Sequence, residues 1–253
     1  MEMKFEWNTI EFRDCLDKEY GLDFLIQNNI RFTYCFTDPP FNREYGEKRY
    51  SHRGKGREKY QSVKYDFLKD HTLYADKMTD EQYLSFCKTW FSKLKQLCDV
   101  IVIYCGVMNQ TMWIGDIEKP YGICYLYQIN GKSMDSIAYL SLVSPILIYG
   151  KPKKRLKRNV FAYIARVGWL KQNFSHPCPL NPDFWFDLIS QLTIETDTVL
   201  DIFMGTGMTA RVCKQLGNRY YGYEKYAIYQ KDIEYNLNSV IKIKRSKQQK
   251  LLA

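Results

Sequence analysis

No Cys-x-x-Cys pair occurs in this chain, and its only histidines are His52, His71 and His176, so a structural zinc site has no signature and no metal is expected. The eight cysteines stand apart at 15, 35, 87, 98, 105, 124, 178 and 213, mostly beside apolar neighbours, and read as small core residues rather than disulfide partners. Long apolar runs are missing too. The longest, Ile137 to Tyr149, is broken by Ser141, Ser144 and Pro145 and falls short of the ~18 residues a membrane helix needs. The start, Met-Glu-Met-Lys-Phe-Glu-Trp, puts charges where a secretory signal needs an apolar region. These absences lead to an expectation of no membrane and a cytoplasmic location. No internal repeat is present.

What is there fits one α/β unit with insertions. The 253 residues are too few for two full domains at roughly 150 residues each. A hydrophobic fraction of 45% with 26% charged residues is ordinary for a folded soluble chain. Lys+Arg 37 against Asp+Glu 28 gives a net charge of +9, which favours a polyanionic partner without requiring one. Aromatics reach 16%, which suits base stacking, although most should be core.

Along the chain, the apolar spacing of 10–29 predicts an amphipathic helix pair or a broken helix. Phe32-Thr-Tyr-Cys-Phe-Thr predicts a short buried strand that ends at Asp38-Pro39-Pro40, because proline cannot extend a central ladder. Residues 43–75 carry little apolar periodicity and many cations, and read as a long basic loop. Thr79-Asp-Glu-Gln carries capping chemistry and opens a helix; Val100 to Tyr104 is a buried strand. Tyr121 to Ile129 and Leu140 to Tyr149 predict two strands forming an antiparallel arm at a sheet edge. Thr198 to Phe203, Met208 to Leu216 and Tyr220 to Glu224 make a βαβ unit. The alternation points to a mostly parallel sheet.

Two short stretches carry chemistry. A strand ending at Asp201 runs into Met204-Gly205-Thr206-Gly207, where glycines would let a cofactor approach backbone N–H groups. Glu224 lies 23 residues after Asp201, at the end of the next strand, where a carboxylate would accept hydrogen bonds from ribose hydroxyls. A merely tight strand-to-helix turn is the plain alternative. Asp38-Pro39-Pro40-Phe41 is more specific. An exocyclic amine on a base has its lone pair delocalised into the ring. A carboxylate and a backbone carbonyl accepting its two N–H groups favour a tetrahedral nitrogen, and an aromatic ring can stack on the extruded base. Asp38, the Pro39 carbonyl and Phe41 meet those needs, with Pro40 helping to hold the carbonyl outward. The alternative is a strand-ending turn capped by Asp38.

These residues resemble the amino-group DNA methyltransferases that use S-adenosyl-L-methionine. Asp38-Pro-Pro-Phe is similar to the family's catalytic Asp-Pro-Pro-Tyr/Phe motif, and Asp201-Ile-Phe-Met-Gly-Thr-Gly-Met-Thr to its Asp-Pro-Phe-x-Gly-Ser-Gly-Thr-Thr cofactor turn. The catalytic motif comes first by about 160 residues, which resembles the permuted β class with target-recognition sequence between the motifs. His176-Pro177 resembles the His-Pro element beside the methionine end of the cofactor, although the lysine usual after it is missing. Ile202, Thr206 and Met208 depart from the family's proline, serine and threonine.

The resemblance implies a Rossmann-like methyltransferase fold: a mixed seven-stranded sheet with helices on both faces, in one domain over 1–253. A basic insertion falls at about 43–75 and a target-recognition region at about 110–175. It implies methyl transfer from S-adenosyl-L-methionine to N6 of a flipped adenine in double-stranded DNA, adenine being favoured because Asp38 stands where cytosine-N4 enzymes usually have serine. Cytosine N4, RNA as substrate, a silent nucleic-acid-binding subunit and a nucleotide-dependent oxidoreductase are the alternatives. A homodimer and a cognate restriction endonuclease are left open as partners. Asp38, Pro39, Pro40 and Phe41 are the expected catalytic residues. Cofactor contacts are expected from Asp201, Phe203, Gly205, Thr206, Gly207, Thr209, Glu224, His176 and Pro177. DNA contacts are expected from Arg53, Lys55 and Arg57 in the basic loop and from Lys153, Lys154 and Arg155 in the run Lys151 to Arg158, where the bland reading is solvated surface.

Overall fold

A computed structural model describes residues 4–42, 78–128, 142–164, 174–176 and 179–241. The basic loop at 43–75, with Arg53, Lys55 and Arg57, lies outside the described residues, as does Pro177. At the centre is an eight-stranded sheet of order β1-β8-β7-β2-β3-β5-β4-β6. Its strands are β1 (Thr9–Phe12), β2 (Phe32–Thr37), β3 (Cys98–Tyr104), β4 (Gly122–Gln128), β5 (Val143–Tyr149), β6 (Val160–Tyr163), β7 (Thr198–Asp201) and β8 (Arg219–Glu224). β1, β8, β7, β2 and β3 are parallel; β5 is antiparallel to both β3 and β4, and β6 runs parallel to β4.

The central strands read as near-continuous apolar runs because both faces are covered. Alternate residues feed two cores. Tyr34 and Phe36 of β2 with Val100 and Val102 of β3 pack under α3 (Pro182–Leu192) and α4 (Met208–Leu216). Cys35, Ile101 and Ile103 face the other side, against α1 (Leu22–Gln27) and α2 (Asp80–Leu97). Helix α2 begins at a capping box, with the Thr79 hydroxyl accepting from Gln82 N–H and the Gln82 side chain accepting from Thr79 N–H. It buries Tyr83, Cys87, Trp90, Phe91, Leu94 and Leu97, the stripe its 3.6-residue period predicts. A last helix, α5 (Gln230–Leu237), packs on α4. All seven described cysteines are buried and free, as expected of small core residues.

Three expectations are corrected. Residues 10–29 are not a helix pair: Thr9–Phe12 is an edge strand paired with β8, and only Leu22–Gln27 is helical. The sheet has eight strands rather than seven, because Val160–Tyr163 adds itself beyond β4. For the same reason β4 and β5 are not an edge arm: β5 lies between β3 and β4, and β6 covers the outer side of β4. Among the described residues, the stretch expected to hold target recognition, about 110–175, thus contributes three strands to the sheet itself. No helix of the described residues is long and apolar enough to cross a membrane.

Candidate active site

The parallel strands β2, β7 and β8 all end at one edge of the sheet, and their last residues converge there. This is where doubly wound sheets bind ligands. β7 ends at Asp201, whose carboxylate accepts from the Thr37 hydroxyl at 3.0 Å, from the Thr209 hydroxyl and from Phe203 N–H at 3.1 Å. Thr37 is the last residue of β2, so this one buried carboxylate ties the strand carrying Asp38 to the glycine turn. Burial pushes the Asp201 carboxyl up to about 6, and its three donors hold it from rising further.

Beyond Asp201 the chain turns through Gly205 and Gly207, at φ of +53° and +77°. Glycine is suited to both, since side chains rarely adopt this left-handed region. Space is tight at Gly207, where a Cβ would stand 3.2 Å from Ile233, whereas one on Gly205 would meet His176 Nε2 at 3.4 Å, an ordinary contact. Glu224, at the end of β8, accepts from Gly205 N–H at 2.7 Å and from Tyr226 N–H at 2.9 Å. Burial raises its carboxyl to about 7. His176 is held through its backbone N–H on Asp232 at 2.9 Å, with its ring edge-on to Tyr229 at 4.6 Å.

Of the expected cofactor residues, the structure therefore brings Gly205, Gly207, Glu224 and His176 together. Phe203 keeps partial exposure at the same turn, its ring edge-on to Trp90 at 5.6 Å. Asp201, Thr206 and Thr209 are 2%, 3% and 1% exposed and shape the turn from inside. The Thr206 carbonyl accepts from the Asn236 amide, and the Thr209 hydroxyl accepts from Trp185 Nε1 while donating to Asp201. The side chains of these three are thus engaged within the fold, and the backbone of the turn they shape is what they offer a ligand. The cradle that remains fits S-adenosyl-L-methionine: a backbone turn free of side chains, a carboxylate at the strand end for hydroxyl donors, and an imidazole alongside.

Asp38 and its followers leave β2 at this edge. Asp38 is half-buried; desolvation, with a smaller contribution from Asp201, pushes its carboxyl well above the usual range. Among the described residues no hydrogen bond engages that carboxylate or the Pro39 carbonyl. The next two carbonyls are occupied: Pro40 accepts from the Tyr83 hydroxyl at 2.7 Å and Phe41 from the Asn109 amide at 2.9 Å. Asn42, at φ +56°, uses its side chain to bond both N–H and C=O of Met78. The Phe41 ring lies over Gly106, where a Cβ would come within 3.3 Å of it.

Thr37, Tyr83, Gly106 and Asn109 also stand around the candidate site, and sequence reasoning did not single them out. Gly106 and Asn109 follow the end of β3, the strand beside β2, and that adjacency is the one signal that could have pointed to them.

Lys153, Lys154 and Arg155 do not join the site. They follow β5, whose last residue pairs with Ile101 and which leads into Gly150 beside Asp99 at the start of β3, so the run sits at the opposite edge of the sheet. Lys153 Nζ is 3.0 Å from Asp197, and Lys154 Nζ donates to the carbonyls of Ser190 and Thr193 at the end of α3. Arg158 pairs with Asp187 at 2.9 Å. Much of the densest charge run in the chain is thus taken up in capping a helix and in ion pairs with Asp197 and Asp187.

Sheet order and strand-end cradle together define a Rossmann-like fold of the methyltransferase type. Residues 127–235 match the family model described as DNA methylase, covering the N6 and N4 amino-group enzymes. Among solved structures it is similar to M1.HpyAVI in complex with SAM, over 91% of this chain and 99% of that one, at 18% identity and TM-score 0.58. It is also similar to the PvuII DNA methyltransferase, cytosine-N4-specific, over 87% and 83% of the two chains, at 13% identity and TM-score 0.57. A candidate DNA modification methylase of Thermus thermophilus, complexed with S-adenosyl-L-methionine, matches over 85% and 89% at 14% identity and TM-score 0.52. At these identities the likeness establishes the fold. No curated protein matches the chain.

Proposed function

We propose that this protein methylates the exocyclic N6 of an adenine turned out of double-stranded DNA, with S-adenosyl-L-methionine as methyl donor. One observation carries the reading: at the strand-end cradle, Asp38 and Pro39 present the two acceptors that have no hydrogen bond from the described residues. Gly205, Gly207, Glu224 and His176 would hold the cofactor, which supplies an electrophilic methyl when bound. The Asp38 carboxylate and the Pro39 carbonyl accept the two N–H groups of the amine, drawing its lone pair out of the ring. Phe41 presents its ring face to the base. Proline at 39 and 40 removes two backbone donors that would compete for the carboxylate. No general base is needed before transfer, because the proton can leave afterwards; positioning and hydrogen bonding supply the rate.

Adenine is preferred over cytosine on the identity of Asp38. Incubating the protein with S-adenosyl-L-methionine and mixed-sequence duplex DNA, then identifying digested nucleosides by mass, should yield N6-methyladenine. N4-methylcytosine alone would keep the mechanism and overturn the base; no modified base would overturn both.

A further inference from the structure

The motif loop has four groups able to accept a hydrogen bond from an incoming amine: the Asp38 carboxylate and the carbonyls of Pro39, Pro40 and Phe41. Among the described residues only the first two are open. The other two are taken by Tyr83, from the first turn of α2, and by Asn109, from the helical turn Val107–Asn109 after β3. These two side chains also meet each other, with Asn109 Nδ2 donating to the Tyr83 hydroxyl at 3.2 Å. Two hydrogen bonds therefore join two separate elements to two successive carbonyls of a loop whose prolines have no N–H of their own, and a third joins the two side chains to each other. Neither residue is needed to pair the sheet, and Asn109 is half-buried rather than part of either core.

We propose that Tyr83 and Asn109 are positioning residues: they lock the Pro40 and Phe41 carbonyls away from the target, which leaves Asp38 and Pro39 as the sole acceptor pair and fixes the Phe41 ring over Gly106. The proposal rests on the reading of Asp38 to Phe41 as the amine-binding motif. Loss of either side chain lets the loop turn a competing carbonyl toward the amine and misplaces the acceptors, which costs turnover more than binding.

The test uses Tyr83→Phe, which keeps the buried ring, Asn109→Ala and the double variant, with melting temperature recorded for each. Each single variant should lower kcat about tenfold, the scale of one positioning hydrogen bond, with the KM for S-adenosyl-L-methionine within about twofold of wild type. The double variant should fall little further than the worse single, because the two side chains act as one unit. A 3-fluorophenylalanine at position 41 provides a readout independent of catalysis: its fluorine resonance should shift or broaden in both variants. An unmoved resonance in both, or kcat within about twofold of wild type in both, would overturn the clamp. Should the wild-type chain methylate no DNA while the resonance moves in the variants, the clamp stands and the methyltransferase reading fails.

Discussion

Asp38 and Asp201 are the same side chain at the ends of neighbouring strands, and the structure uses them in opposite ways. Asp201 is enclosed and accepts three hydrogen bonds from Thr37, Phe203 and Thr209. Asp38, one residue past Thr37, has none from the described residues and keeps partial exposure. A carboxylate whose lone pairs are filled holds a fold together. One left open bears its desolvation for something that arrives later. Both are held above the usual carboxylate range, so a raised pKa alone would not have separated them; their hydrogen-bond partners do.

That contrast is broken most sharply by Asp38→Ala. Turnover should fall by ~10²-fold or more, the loss expected for a hydrogen-bonding group at a reacting centre, while calorimetric affinity for S-adenosyl-L-methionine stays near wild type. Retention of more than about a tenth of the activity would return Asp38 to a turn-capping role. Asp201→Ala should do the reverse in kind. It strands two buried hydroxyls and an N–H, so denaturant unfolding should show a loss of about 2 kcal/mol. If stability is unchanged, the enclosed carboxylate is not the tie described.

Glu224 sharpens the comparison, since it is buried like Asp201 yet stands at the cradle. Glu224→Ala should weaken cofactor binding by about 1–2 kcal/mol, roughly five- to thirtyfold, from loss of a charge-assisted acceptor. Its pH behaviour should carry two opposite signs. The folded-state pKa is raised to about 7, so the stability this group contributes is complete below the unfolded value of about 4.3 and is lost as pH rises through 7. Cofactor affinity, which needs the ionised acceptor, should instead fall as pH drops through 7. Glu224→Gln should flatten both profiles, and an affinity profile unaltered by that change would remove Glu224 from the site. The smallest effect belongs to Lys153, Lys154 and Arg155 replaced together by Ala. Every cation that neutralises a phosphate steepens the fall of log DNA affinity with log salt by about 0.9, so its removal flattens the slope by that amount. No change is expected, and a slope reduced by about two units or more would bring that run back as a DNA surface.

The parts legible in the sequence are those decided locally. A β-branched and aromatic run stopped by two prolines is β2, Thr79 with Gln82 is the start of α2, and a strand running into Gly-x-Gly is the turn between β7 and α4. What escaped was decided by distant partners. Thr9–Phe12 has four residues and takes its strand conformation from β8, some 212 positions away, so its local spacing was free to suggest a helix. Tyr83 looks like any buried ring on a helix stripe, and nothing in its neighbourhood reveals that its hydroxyl reaches Pro40. Lys153 and Lys154 look like a polyanion patch because charge density carries no record of which edge of a sheet it will occupy.

The pairing of β1 with β8 also has a consequence in time. The partner of Thr9–Phe12 is Tyr221–Glu224, so this edge of the sheet cannot close until nearly all the described chain has been synthesised. At ribosomal rates of about 5–20 residues per second, the first strand waits on the order of ten seconds or more for its neighbour. The cradle at Gly205 and Glu224 is assembled by the same late residues, so a nascent chain would display its Asp38 motif before it had a place to hold the methyl donor.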